Sequence, residues 1–139
     1  MPTPKYVPMV LALAIGASVG VGHAQDPAEL LAAYDRAARA DDPAFRGFSA
    51  QAGEAFFNSA HGGDWSCATC HTRNPAAAGK HVKTAKPIAP LAPAANRERF
   101  TDSAKVEKWF KRNCNDVLHR ACTPQEKGDV LAYLLTLRP

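Results

Sequence analysis

Residues 67–71 read CATCH, two cysteines with two residues between them and a histidine directly after the second. That spacing is the attachment sequence of a c-type haem. Two thiols add to the two vinyl groups on one edge of a porphyrin, so Cys67 and Cys70 would become thioethers, and the adjacent His71 would reach the iron as proximal ligand. The same letters have two other uses, a dithiol redox pair followed by histidine and half of a zinc site. The redox pair needs a βαβ neighbourhood, which the sequence does not offer. Zinc would have to recruit Cys114 and Cys122, whose eight-residue spacing departs from the two to four usual between zinc cysteines. The expectation is one covalent haem c.

With His71 on one side of the iron, the other side is the open question. Methionine is a common distal ligand in electron-transfer cytochromes, but the two methionines, Met1 and Met9, lie in a leader read below as removed. Histidine, lysine, a neutral amide, water or nothing remains. His61, in NSAHGG, stands just before CATCH and is expected at the surface or on the proximal side. His81, in GKHVK, sits among lysines and is expected in solvent. His119 lies between Cys114 and Cys122 and is the serious histidine competitor. Asn113 precedes Cys114 and is the one polar side chain on an apolar stripe, where a polar group needs a partner. It can equally be the polar residue that ends a helix.

These residues are positioned by helices. PAELLAAYDRAARA, 27–40, reads as a short amphipathic helix with Leu30, Leu31 and Tyr34 on one side and Pro27 in its first turn. A second helix is expected over about 50–60, carrying Gly53, Phe56 and Phe57. From Gly62 to Asn96 no period lasts, and prolines at 87, 90 and 93 exclude an ordinary helix. So long an irregular stretch in a small domain needs a body to wrap, and a porphyrin supplies one. Ile88 and Leu91, inside the proline-rich run, are candidates to cover one haem face. A third helix begins near TDSAKVEKWFKRN with Thr101 or Ser103 as cap, and Val106, Trp109, Phe110 and Asn113 recur on one face. Trp109 and Phe110 are the aromatic candidates for haem contact. The last helix opens on TPQE, where Thr123 caps, Pro124 fits the first position and Glu126 completes a capping box. Val130, Tyr133, Leu134 and Leu137 form its stripe. No strand alternation or repeat is visible, so the fold class is all-α, four to five helices with long irregular segments around one haem.

The first 24 residues have the layout of a secretory signal: Lys5, an apolar run from Val7 to Val21, and small residues ending at Ala24. The run is about 15 residues where a membrane span needs about 20, so cleavage is expected rather than anchoring. The mature protein would be a single domain, 25–139, exported to the periplasm, where a disulfide can form. Removing Lys5 leaves 16 basic residues against 13 acidic, a formal charge of about +3. Lys105, Lys108, Lys111 and Arg112 cluster on one expected helix and read as a solvated face. No nucleic-acid partner is indicated.

Across KPIAPLAP, RFTDSAKVEKWFKRNC and CTPQEKGDVLAYL the sequence resembles the sphaeroides haem protein family of small monohaem class I c-type cytochromes. The likeness is nearly continuous from Lys86 to Leu134 and looser from Leu30 through Gly53 and CATCH. The resemblance implies a class I cytochrome c fold, His71 as proximal ligand and Asn113 as distal ligand. It also implies a disulfide between Cys114 and Cys122. In that family the asparagine leaves the iron on reduction, which opens the site to oxygen or nitric oxide. The proposed electron donors there are a dihaem c-type cytochrome and a membrane b-type cytochrome. Electron transfer with a displaceable ligand site is the function implied. A haem enzyme acting on nitric oxide and oxygen, and a closed carrier using His119, are the alternatives.

Overall fold

The computed structural model describes residues 25–138, so the leader read over 1–24 lies outside the described span. Along the chain come α1 (Pro27–Asp41), α2 (Ala50–Asn58), α3 (Cys67–His71), β1 (Gly79–Lys80), β2 (Pro87–Ile88), α4 (Ser103–Leu118) and α5 (Pro124–Thr136). The architecture is all-α, with one small antiparallel hairpin in which Gly79 faces Ile88 and Lys80 faces Pro87.

The core lies where α5 crosses α2 and α1. Asp26 caps α1 by accepting from the Ala28 N–H at 2.8 Å, and the helix buries Leu30, Tyr34 and Ala38, four residues apart. Ser49 caps α2, which buries Gly53 and Phe57. Thr123 and Glu126 form the capping box of α5, and Val130, Leu131, Tyr133 and Leu134 point inward. These side chains and Phe100 make one cluster. Each large apolar side chain removed from water contributes on the order of 1.5–3 kcal/mol. The crossing is close because residue 53 has no side chain: a Cβ there would lie 1.9 Å from the Asp129 carbonyl oxygen. Asp129 then reaches back, its Oδ1 accepting from the Ser49 N–H at 2.7 Å.

The longest helix, α4, is held differently. Among the described residues it packs closely along none of the other helices. Val106 and Phe110 rest on the edge of the core, and Phe110 meets the Tyr34 ring edge-on at 6.2 Å. At its far end Cys114 is joined to Cys122 with Cα atoms 5.6 Å apart, and His119 ends the helix in a left-handed conformation, φ 58° and ψ 24°. No helix among the described residues is long and apolar enough to cross a membrane.

Several sequence expectations are corrected here. The cap of α4 is Asp102, neither Thr101 nor Ser103: its carboxylate accepts from the Lys105 N–H at 3.0 Å, while the Thr101 hydroxyl is turned back to the Glu98 carbonyl. That helix runs five residues past Asn113, so Asn113 does not end it. The stretch from Gly62 to Asn96 is less irregular than its composition indicates, since it holds α3 and the hairpin. The second helix stops at Asn58, two residues short of the expected end, where the Ser59 N–H bonds back to Ala55 and Phe56.

Candidate haem centre

The site begins with one helical turn. The Ser66 hydroxyl accepts from the Thr69 N–H at 3.2 Å, and the Thr69 hydroxyl accepts from the Ser66 N–H at 2.9 Å. This reciprocal box winds α3, and winding brings Cys67, Cys70 and His71 to one side at i, i+3 and i+4. Both thiols are free and half-buried. Cys67 and Ala68 pack against the core cluster, which anchors the turn. Burial pushes the Cys67 thiol up to about 11, assisted by nearby Cys70.

His71 lies with its ring 6.3 Å from that of Phe57. Burial, then the positive charge of Arg99, pushes its imidazole down to about 4. The ring is therefore neutral at pH 7 and keeps a free lone pair. No hydrogen bond among the described residues uses either ring nitrogen.

The hairpin holds α3 in place and the proline-rich run is tied down separately, by contacts that were not legible in the sequence. Gly79, on β1, presses so near that a Cβ would lie 2.1 Å from the Cys70 carbonyl oxygen. Beyond it, the Val82 N–H points at Cys70 Sγ from 3.5 Å. The proline-rich run is tied down by the buried Pro75, whose carbonyl accepts from Leu91 and Ala92 at 2.8 and 3.0 Å. Arg99 supplies the second tie, donating from Nε to Pro90 O at 2.9 Å and from Nη2 to Ala89 O at 2.7 Å. A proline run lacks N–H groups and leaves carbonyls that no regular element satisfies, so a nearby arginine was the signal available. Of the two residues chosen from this run, Ile88 is half-buried in β2 and Leu91 packs at the rim of the core.

On α4 the expected stripe divides. Val106 and Phe110 turn to the core, whereas Trp109 is 45% exposed and has the Arg112 guanidinium 5.7 Å from its ring. The arc spanned by the four residues is wider than the protein core it meets, and Trp109 lies outside that contact. Asn113 is half-buried in mid-helix, and its carboxamide has no hydrogen-bond partner among the described residues. Just beyond it, a cleft of about 300 Å³ opens between Gly63 and Trp65, which lead into α3, and Val117 and His119 of α4.

The other histidines are occupied or peripheral. His61 is exposed, with Nε2 2.9 Å from Phe56 O and its ring against Phe56. His81 is not free in solvent: it is half-buried, and its Nδ1 accepts from the Lys83 and Thr84 N–H groups at 3.2 and 3.3 Å. His119 is exposed at the rim of the cleft.

Two free thiols on one turn, a neutral imidazole beside them and an unpartnered carboxamide on a separate helix fit haem c. Cys67 and Cys70 would hold the porphyrin edge and His71 the iron.

Known proteins place the chain. The model of a domain family described as "Domain of unknown function (DUF1924)" matches residues 43–134. Cytochrome c-type protein SHP of Cereibacter sphaeroides is 51% identical over 112 residues, which cover 78% of this chain and 81% of the relative. Cytochrome c'' of Methylophilus methylotrophus is 44% identical over 112 residues, 78% of each chain. The solved structure of oxidised SHP, described as an oxygen-binding cytochrome c, superposes with a TM-score of 0.73 at 46% identity, covering 81% of this chain and 98% of that one. Oxidised cytochrome c'' superposes with a TM-score of 0.71 at 43% identity, covering 79% and 93%. With one CATCH attachment sequence inside the matched span, the chain belongs to the DUF1924 family, that of SHP and cytochrome c'', and is a c-type cytochrome with a cytochrome c fold and a covalent haem c.

Proposed function

We propose that this protein is an exported, periplasmic monohaem cytochrome that exchanges electrons with partner proteins and takes up a small diatomic ligand at a position Asn113 can leave. The observation that carries the reading is the Asn113 carboxamide, half-buried in mid-helix and without a hydrogen-bond partner among the described residues. Once covered by a porphyrin such a carboxamide needs a partner, and the iron would be one.

Haem c would supply one-electron redox chemistry and a centre for a small ligand. Cys67 and Cys70 hold it by thioethers, and His71, kept neutral by burial and by Arg99, gives a strong nitrogen donor on one side. Asn113 gives a weak, uncharged donor on the other. Such a donor would be displaceable, and with it withdrawn the site would admit oxygen or nitric oxide. Likeness to SHP, which is described as oxygen-binding, supports the small ligand. A dihaem c-type cytochrome and a membrane b-type cytochrome are the proposed electron donors.

Visible spectra of the ferric and ferrous protein, wild type and Asn113→Ala, with and without nitric oxide, test this. The variant should lose the low-spin ferric spectrum and bind added ligands in both oxidation states. A ferric spectrum identical to wild type removes Asn113 from the iron. A wild-type ferrous form that stays low-spin and refuses carbon monoxide favours a closed carrier using His119.

A further inference from the structure

The helix that carries Asn113 is tied at its first residue, where the Ser103 N–H donates to Gln25 Oε1 at 3.2 Å, and nearer Asn113 at two further points. One is the disulfide at Cys114, the residue next to Asn113. The other is Glu107, six residues earlier, which is about 9 Å along the helix axis. Tyr34 on α1 is 6% exposed, and its hydroxyl donates to Glu107 Oε1 at 2.6 Å. Lys127 on α5 donates from Nζ to Glu107 Oε2, also at 2.6 Å. The same ammonium lies 5.7 Å from the Tyr34 ring centroid and 6.0 Å from that of Phe110. Both carboxylate oxygens of Glu107 are thus held, each from a different helix of the core.

We propose that Glu107 is a positioning residue for the distal ligand: clasped by Tyr34 and Lys127, it sets the height and rotation of α4 and so the place of the Asn113 carboxamide. The inference rests on Asn113 being an axial ligand. An exposed lysine–glutamate pair alone contributes little. The tyrosine changes the balance, because a buried hydroxyl without its acceptor is costly. Broad helix packing would keep α4 in place after the clasp opened. Along the Glu107 stretch Val106 and Phe110 meet the core only at its edge, and the buried Cys114 and Val117 lie at the far end, so an opened clasp moves the helix as well as weakening the fold.

The test uses the ferric holoprotein with imidazole as a competing ligand, titrated by visible spectra, for wild type, Glu107→Gln, Tyr34→Phe, their double variant and Asn113→Ala. Glu107→Gln and Tyr34→Phe should each bind imidazole roughly fivefold more tightly than wild type, the size expected for one lost hydrogen bond. The double variant should go beyond either single one but fall short of their sum, because Glu107→Gln breaks the Lys127 bond and only weakens the Tyr34 bond that Tyr34→Phe removes. Tyr34→Phe keeps the ring and removes only the hydroxyl, so it serves if Glu107→Gln does not fold. If both single variants lower Tm but keep the wild-type imidazole affinity and ferric spectrum, the clasp is a staple and the proposal is wrong. An Asn113→Ala spectrum unchanged from wild type overturns the ligand assignment and this inference with it; a changed one alongside silent Glu107 and Tyr34 variants overturns the positioning role alone.

Discussion

Arg99 reaches across nine residues to Pro90, its Nε donating to the Pro90 carbonyl at 2.9 Å. With Nη2 on Ala89 O at 2.7 Å, one planar guanidinium closes two adjacent carbonyls of the proline-rich run. Its charge also helps keep His71 neutral. A lysine in its place offers one point donor and no fork. Arg99→Lys should therefore lower the stability of the holoprotein by about 1–2 kcal/mol, measured by denaturant midpoint at constant m-value. A variant as stable as wild type would show that Pro75 and the Asn96 bond to Pro90 O hold the run without the arginine fork.

Gly53 is required by the crossing of α2 and α5. Any side chain there meets the Asp129 carbonyl at overlap distance, with the Val130 N behind it at 2.9 Å. The neighbouring atoms are backbone and cannot turn aside, so the helices must separate and the Ser49–Asp129 bond must lengthen. Gly53→Ala should cost about 3 kcal/mol, more than the small gain in helix propensity returns. A thermal scan giving a Tm within a degree or two of wild type would contradict this packing.

What could be read in advance, and what could not, divides along a physical line. CATCH was legible because covalent attachment dictates its spacing, and the haem c it implies is borne out by the family to which the chain belongs. The Thr123, Pro124 and Glu126 start of α5 was legible because caps are local. The roles of Gly79, Pro75 and Arg99 were not, since each acts on backbone far away in sequence. The Asp102 cap was missed among three adjacent residues able to cap, and the choice turned on where the Thr101 hydroxyl went. That Trp109 lies off the protein core was hidden because periodicity gives the face of a helix but not how much of that face a neighbouring helix covers.

The disulfide closes a loop of eight residues around His119 and the end of α4. Replacing Cys114 and Cys122 by serine should lower stability by about 2–3 kcal/mol through the freed unfolded chain. If the bond also returns Asn113 to its place after release, the double serine variant should show slower recovery of the low-spin ferric spectrum after a reduction and reoxidation cycle. Recovery at the wild-type rate with the stability loss intact would leave the bond a staple only.

The clasp at Glu107 also has a pH signature. Burial pushes this carboxyl up, but the hydrogen bonds from Lys127 and Tyr34 outweigh it and hold Glu107 below its ordinary value of 4.5. On the other side of the bond, burial and then the Glu107 hydrogen bond push the Tyr34 hydroxyl up, so it stays protonated and keeps donating across the whole working range. For an acid depressed in the folded state, the unfolded chain takes up the proton first as pH falls. The stabilisation is thus complete above about pH 4.5 and is lost as pH drops below that value toward the folded one. Glu107 is largely exposed, so screening keeps the effect small, about 2–4 °C in Tm. Glu107→Gln should remove that part of the acid slope while leaving the profile between pH 5 and 8 parallel to wild type. Thermal scans of the two holoproteins from pH 7 down to 3 check it, and curves that stay parallel through the acid limb would mean that Glu107 does not carry the charge on which the clasp depends.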